Sequence, residues 1–336
     1  MIYPDNFEQK IGFNEIRNML RERCLSTLGK EQVEKMAFSD DAEQVNEWLK
    51  QVREFRRLIL EVEDFPLQYF YDVRESIVRI RIENTHLEEN ELFDLRRSLS
   101  TIDSIVKILN HSDEDESHAE ENDGWRREKK YTYPSLHLLA KDIVTFPQIV
   151  QRIDQILDKF GKIRDNATPE LLQIRRELAK TEGSISRTLY CILRSAQSEG
   201  VVEKDVTPTL RDGRLVIPVI PTLKKKIKGI VHDESATGKT VFIEPTEVVE
   251  ANNRVRELEG EERKEIIRIL TQFTNKLRPY TREIMDSYRF LAKIDLIQAK
   301  QKLAEIQKAI EPEVEDHPHI DWIRAIHPLL QQSLEK

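Results

Sequence analysis

Leu171, Leu178, Ile185 and Ile192 recur every seven residues, with Ile174, Leu189 and Ala196 between them. An apolar repeat of that period is the seam of a coiled coil. Thr168-Pro169-Glu170 supplies an N-cap followed by a proline at the first helical position, and the pattern lasts to about Glu199, which predicts a helix about 45 Å long. Thr246-Glu247 then opens a returning helix whose Val248, Asn252, Val255, Ile266, Ile269, Phe273 and Leu277 can face the first. Together they make an antiparallel two-helix lever. Within the returning helix, the polar stretch Glu259 to Glu265 around Gly260 is either a bend or an exposed surface, since a glycine costs about 1 kcal/mol there relative to alanine.

Between the two helices the period shortens to that of strands. Thr207-Pro208-Thr209-Leu210 and Leu215-Val216-Ile217-Pro218-Val219 flank Arg211-Asp212-Gly213-Arg214, an Asp-Gly hairpin signal. Ile227 to His232 and Thr240 to Ile243, closed by Pro245, form a second pair around Gly238. Four short strands at the far end of the lever are predicted.

Ahead of the lever the spacing is helical throughout. Ile16, Met19, Leu20, Cys24 and Leu25 mark a helix that starts near Phe13 and for which Leu28-Gly29 suggests a stop. Asp40-Asp41 with Glu43 caps another, with Val45, Trp48, Leu49, Val52, Phe55 and Leu58 on its core face. After the break at Phe65-Pro66-Leu67, Val73, Ile77, Ile80 and Ile82, then Leu87 to Leu109, continue the bundle, and Ile149 to Phe160 restores it. The acidic run from His111 to Asp123 has too little apolar surface to offset its ordering entropy and reads as a mobile loop; basic and aromatic residues return from Trp125 to Tyr133. Met285, Leu291, Ile294, Leu296, Ile297 and Leu303 rejoin the core. The fold class is mainly α, with a helical bundle core over residues 1–165, a lever helix up over 166–200, a small antiparallel β-domain over 201–245, a lever helix down over 246–284, and completion of the core over 285–336.

Composition agrees with long helices. The 336 residues are 34% charged with only 10 glycines, and the mean hydropathy is -0.57. With 61 acids against 53 bases the net charge is -8, which excludes a basic coat over the whole surface. From Arg211 to Lys228 the sign reverses: Arg211, Arg214, Lys224, Lys225, Lys226 and Lys228 stand against Asp212 alone, a net of +5. Such a patch attracts phosphate backbones. Cys24 and Cys191 read as buried thiols in a reducing compartment, and with no long apolar run and no signal sequence at Met1-Ile2-Tyr3-Pro4-Asp5 the expected location is the cytoplasm, away from membranes.

Three further motifs lose to plainer readings. Gly238-Lys239-Thr240 lacks the first glycine of a phosphate-binding loop, whose place Asp233 takes, and it leads into a strand rather than a helix. Phe13-Asn14-Glu15 spells a duplex-wedging Phe-x-Glu triplet at a helix start, where Phe13 packs inward with Ile16 and Arg17 faces out. Asp316-His317-Pro318-His319 with Asp321 invites a metal, but His-x-His spacing is common by chance, and no metal is assigned.

Asp212-Gly213-Arg214-Leu215-Val216-Ile217-Pro218-Val219, then Gly229-Ile230-Val231-His232-Asp233-Glu234-Ser235-Ala236-Thr237-Gly238 and Val241-Phe242-Ile243-Glu244-Pro245, resemble the clamp of the MutS-two branch of the MutS family, known for DNA mismatch repair. Phe7 to Phe13, Ser26-Thr27-Leu28-Gly29-Lys30 and Asn252-Asn253 with Arg256-Glu257-Leu258 are similar to other parts of that branch. The resemblance implies a homodimer whose levers close clamp domains around DNA, branched or duplex, or around the ribosome and its RNA, when ATP binds elsewhere. It links the full protein to suppression of recombination or rescue of collided ribosomes. Ala325-Ile326-His327-Pro328-Leu329-Leu330 resembles the entry to the ATPase domain, with Ile326 in place of the common arginine. ATP and magnesium are implied for that domain and for no residue of this chain, which reads as a piece without the ATPase and Smr nuclease domains and without catalysis of its own. The nucleic-acid contacts expected are Arg211, Arg214, Lys224, Lys225, Lys226, Lys228 and Lys239. The alternative is a coiled-coil interaction scaffold whose lysines are only solvated.

Overall fold

The computed structural model describes residues 6–112 and 131–334. Most of the acidic run and the start of the basic, aromatic stretch after it lie outside the described residues. The chain divides into two compact units, Met1–Asp154 with Thr274–Lys336, and Gln155–Phe273. In chain order the helices are α1 (Phe7–Lys10), α2 (Phe13–Arg23), α3 (Thr27–Glu34), α4 (Ala42–Glu61), α5 (Arg74–Arg79), α6 (Glu89–Leu109), α7 (Pro134–Ala140), α8 (Pro147–Ile156), α9 (Pro169–Ser198), α10 (Thr246–Leu277), α11 (Thr281–Ile306) and α12 (Pro328–Leu334). No helix among the described residues is long and apolar enough to cross a membrane.

The first unit is built around α11, which packs against α2, α3, α4 and α5. Ile284, Tyr288, Leu291, Ile294 and Ala299 are buried along its length, the mark of a helix enclosed by its neighbours rather than lying on a surface. Asp295 on α11 is fully buried and holds the start of α3: one carboxylate oxygen accepts from the Leu25 amide (2.9 Å), the other from the Ser26 amide (2.9 Å) and hydroxyl (2.6 Å). Ser26 in turn caps α3 by accepting from the Gly29 amide at 3.1 Å. Gly29 is therefore no helix stop. It lies inside α3, and a Cβ there would fall 2.2 Å from the Asp295 carboxylate, so the glycine serves close approach.

Other local expectations are corrected by packing. Arg17 does not face out; its guanidinium donates to Glu8 and to the carbonyls of Val33 and Met36 and lies over the Phe13 ring. Ile82 and Phe160 fall outside helices and are exposed, because α5 ends at Arg79 and α8 at Ile156. Burial and the nearby Asp295 carboxylate push the Cys24 thiol up to about 12, whereas Cys191 is exposed, on the side of α9 opposite Leu189 and Leu193.

The second unit is a two-helix arm bearing a sheet. Thr168 caps α9 through the Leu171 amide (3.2 Å) and also donates to Glu265 on α10, Arg175 pairs with Glu262, and Arg254 with Glu177, so the two helices run antiparallel. The polar stretch of α10 around Gly260 is thus part of the interhelical contact, and the helix is unbroken across it. At the other end Ile185, Leu189, Leu193 and Ala196 of α9 and Val248 and Val255 of α10 form one apolar cluster with Val201, Ile217, Val219, Val241 and Ile243. Those last residues belong to the loop after α9 and to a sheet of β1 (Thr209–Arg211), β2 (Arg214–Val219), β3 (Gly229–Glu234) and β4 (Val241–Pro245), ordered β1-β2-β4-β3 with every pair antiparallel. The mainly α architecture with a two-helix lever and a small β-domain is the one the apolar spacing predicts.

Candidate nucleic-acid interface

The β1–β2 hairpin turns on Asp212 (φ 47°) and Gly213 (φ 73°), both left-handed, as a two-residue turn requires. This sets Arg211 directly opposite Arg214 in the ladder. Their environments differ. Arg211 is exposed with its guanidinium 4.2 Å from the centre of the Phe242 ring, a cation–π contact that leaves its donors free for a ligand. Arg214 turns into the domain: its side chain is 13% exposed, donates to both oxygens of Glu244 (2.6 and 2.8 Å), and reaches Asn253 at 2.6 Å.

Glu244 is the hub of that network. Fully buried on β4, it also accepts from Asn252 of α10 (2.7 Å) and meets His232 Nε2 at 2.5 Å. His232 gets there because β3 bulges: Val231 pairs with Ile243 and Asp233 with Phe242, so His232 is the extra residue. Burial pushes the Glu244 carboxyl up, but the bonds from Asn252, His232 and Arg214 outweigh it and hold the group below the usual carboxylate range. One carboxylate thereby ties β2, β3 and β4 to the start of α10. Gly229 allows it, since a Cβ there would lie 2.1 Å from the Glu244 carbonyl oxygen.

The lysines are placed differently. Pro221 to Lys226 form a 3-10 turn between β2 and β3. Leu223 and Ile227 pack into the apolar cluster on either side of Lys224, Lys225 and Lys226, which all stand exposed, as does Lys228. Lys239 is exposed in the β3–β4 turn, where the Ser235 amide donates to the Thr240 carbonyl (2.8 Å) and Gly238 takes φ 67°. Strands on both sides confirm that Gly238-Lys239-Thr240 is a hairpin turn. None of Arg211, Lys224, Lys225, Lys226, Lys228 or Lys239 forms an ion pair with a described residue. Over residues 201–245 the bases number eight and the acids six, so the positive field is concentrated at the 221–228 turn rather than spread over the sheet.

The structure thus brings Lys224, Lys225, Lys226 and Lys228 together on one turn and sets Arg214 apart in the Glu244 network. Glu244, Asn252 and Asn253 escaped the charge count because they are an acid and two amides. The available signal was Glu244 itself, a lone acid inside the apolar run Val241-Phe242-Ile243 before Pro245.

No protein-family model matches the chain. Among curated proteins it is 33% identical to Endonuclease MutS2 of a Geobacillus species over 322 residues, 96% of this chain and 39% of that protein. It is 34% identical over 318 residues to Endonuclease MutS2 of Levilactobacillus brevis, and 31% over 319 to that of Symbiobacterium thermophilum, in both cases 95% of this chain and 38% of the relative. The chain spans about two fifths of the length of these relatives. Over nearly every residue described above, the chain is thus similar to one part of proteins named Endonuclease MutS2.

Proposed function

We propose that this region is the non-catalytic nucleic-acid-binding part of a MutS2 protein, its core, lever and clamp, with Lys224, Lys225, Lys226 and Lys228 as the main phosphate contacts and Arg211 and Lys239 flanking them. The observation that carries this reading is an imbalance within one domain. Arg214 is consumed by a buried carboxylate, while the four lysines of a turn anchored by Leu223 and Ile227 have no acidic partner among the described residues. Like charges held together without counter-charges raise the free energy of the isolated surface, and a polyanion relieves that. The name of the relatives, endonuclease, points to the same class of partner. Lysine–phosphate contacts supply affinity without reading sequence, and a duplex, a branched junction and ribosomal RNA all offer that chemistry. Cutting, and any ATP-driven closure, is assigned to other parts of the full protein.

The test is binding of fluorescent duplex DNA, four-way junction and duplex RNA across a salt series. Each phosphate contact contributes about 0.9 to the slope of log affinity against log salt on B-form DNA. Replacing Lys224, Lys225 and Lys226 by alanine should flatten the slope on duplex DNA by about 2–3, and Arg214→Ala by less than 1. An unchanged slope in the triple variant would reject the reading in favour of an interaction scaffold.

A further inference from the structure

A second concentration of chemistry lies in the first unit, on the segment between α11 and α12. From Glu311 to Asp321 the chain carries five acids and no lysine or arginine. Within it His317 Nε2 and His319 Nδ1 each lie 3.1 Å from the same oxygen, Oε2 of Glu315. The three donor atoms all fall within 4.8 Å of one another. An ion bound by imidazole nitrogen and carboxylate oxygen at 2.0–2.2 Å in tetrahedral geometry needs its donors about 3.3–3.6 Å apart, so the two measured separations are close to two edges of such a site.

Three other observations favour a bound cation over a solvated cluster. Asp316 Oδ1 is 3.3 Å from His317 Nδ1, the placement of a carboxylate that orients a metal-binding imidazole from its far nitrogen. Pro318 separates the two histidines and fixes φ between them. The segment is also tethered: Asn46 of α4 donates to the Val314 carbonyl at 2.9 Å, and Arg53 of α4 pairs with Glu311, so the residue before Glu315 is held on the core. Glu315, His317 and His319 keep 48, 62 and 59% of their side-chain exposure, which leaves a fourth position for water.

We propose that Glu315, His317 and His319 bind one divalent transition-metal ion, with zinc as the best chemical fit. Two imidazoles and one carboxylate suit zinc, whereas magnesium and calcium require oxygen ligands throughout. Glu315 is the ligand that His-x-His spacing alone does not single out. The bound ion would clip the ends of a five-residue segment and stiffen the chain beyond α11. This proposal does not depend on nucleic-acid binding.

The experiment is calorimetric titration of the tag-free protein with Zn2+, with Co2+ absorption as a second readout of nitrogen ligation. The wild type should bind one Zn2+ per chain, undiminished by excess Mg2+, and give visible cobalt bands. His317→Ala with His319→Ala should abolish the site, and Glu315→Gln should weaken it about 10- to 100-fold. Because all three side chains are exposed, metal-free circular dichroism should be unchanged, which separates loss of ligands from misfolding. Absence of saturable Zn2+ binding by the wild type, undiminished binding by the double-histidine variant, or equal competition by Mg2+ would overturn the proposal.

Discussion

Along α9 and α10 arginines sit against carboxylates, Arg175 against Glu262 and Asp165, Arg254 against Glu177, Glu257 and Glu261, and Arg268 against Glu265 and Glu170. In the turn from Pro221 to Lys228, four lysines stand with none among the described residues. The difference separates charge that shapes the molecule from charge available to something else. Arginine forks are suited to fixed multivalent pairing, and lysine ammonium groups, flexible and strongly hydrated, to mobile contact with phosphate. Arg214 and its neighbours place that division inside the β-domain itself, since Arg214, bonded to Glu244 and to Asn253 of α10, is locked while the lysines of the neighbouring turn are exposed.

The contrast breaks if removing the structural charge does no harm. Glu244→Ala leaves Arg214 and His232 without their buried partner and should cost about 3–5 kcal/mol, read as lost hydrogen-exchange protection of the 241–245 amides. Gly229→Ala forces a Cβ onto the Glu244 carbonyl and should cost about 1–3 kcal/mol by the same readout. Acid should act through the same group. Glu244 has its folded carboxyl below the ordinary value near 4.3, so its contribution is complete above that value and is lost as pH falls through the folded one; protection of β4 should drop in that window, and in Glu244→Gln it should not. At the small end, alanine at Lys224, Lys225 and Lys226 should change stability by less than about 0.5 kcal/mol while altering salt-dependent binding. A destabilisation as large as that of Glu244→Ala would erase the distinction.

Apolar spacing made the helical arm readable because its seam is local: Leu171, Ile185 and Leu189 are buried where a seven-residue repeat puts them. The Asp-Gly turn was readable for the same reason, since two consecutive left-handed residues leave few alternatives to Asp212-Gly213. Cys191 was misjudged although the helical period places it two residues from both Leu189 and Leu193, on the opposite face. What spacing could not carry were contacts set by tertiary approach. Gly29 looks like punctuation until Asp295 is placed against it, and Arg214 looks like part of a basic patch until the His232 bulge and the β2–β4 pairing gather around Glu244. Of the expected contacts, the sequence put four lysines on one turn, where they stand exposed, and could not show that Arg214 is held by Glu244.

The buried Asp295 on α11 bonds Leu25, 270 positions away in sequence, and the two lie on either side of a contiguous insertion from Gln155 to Phe273. During synthesis the segment preceding Asp154 must wait for the insertion to be translated, on the order of ten seconds at 5–20 residues per second, before its central helix exists. The arm and sheet, being continuous, are free to form in that interval. Birth order is thus written into the connectivity: the nascent polypeptide holds the whole arm and sheet before it holds the helix that closes the other unit.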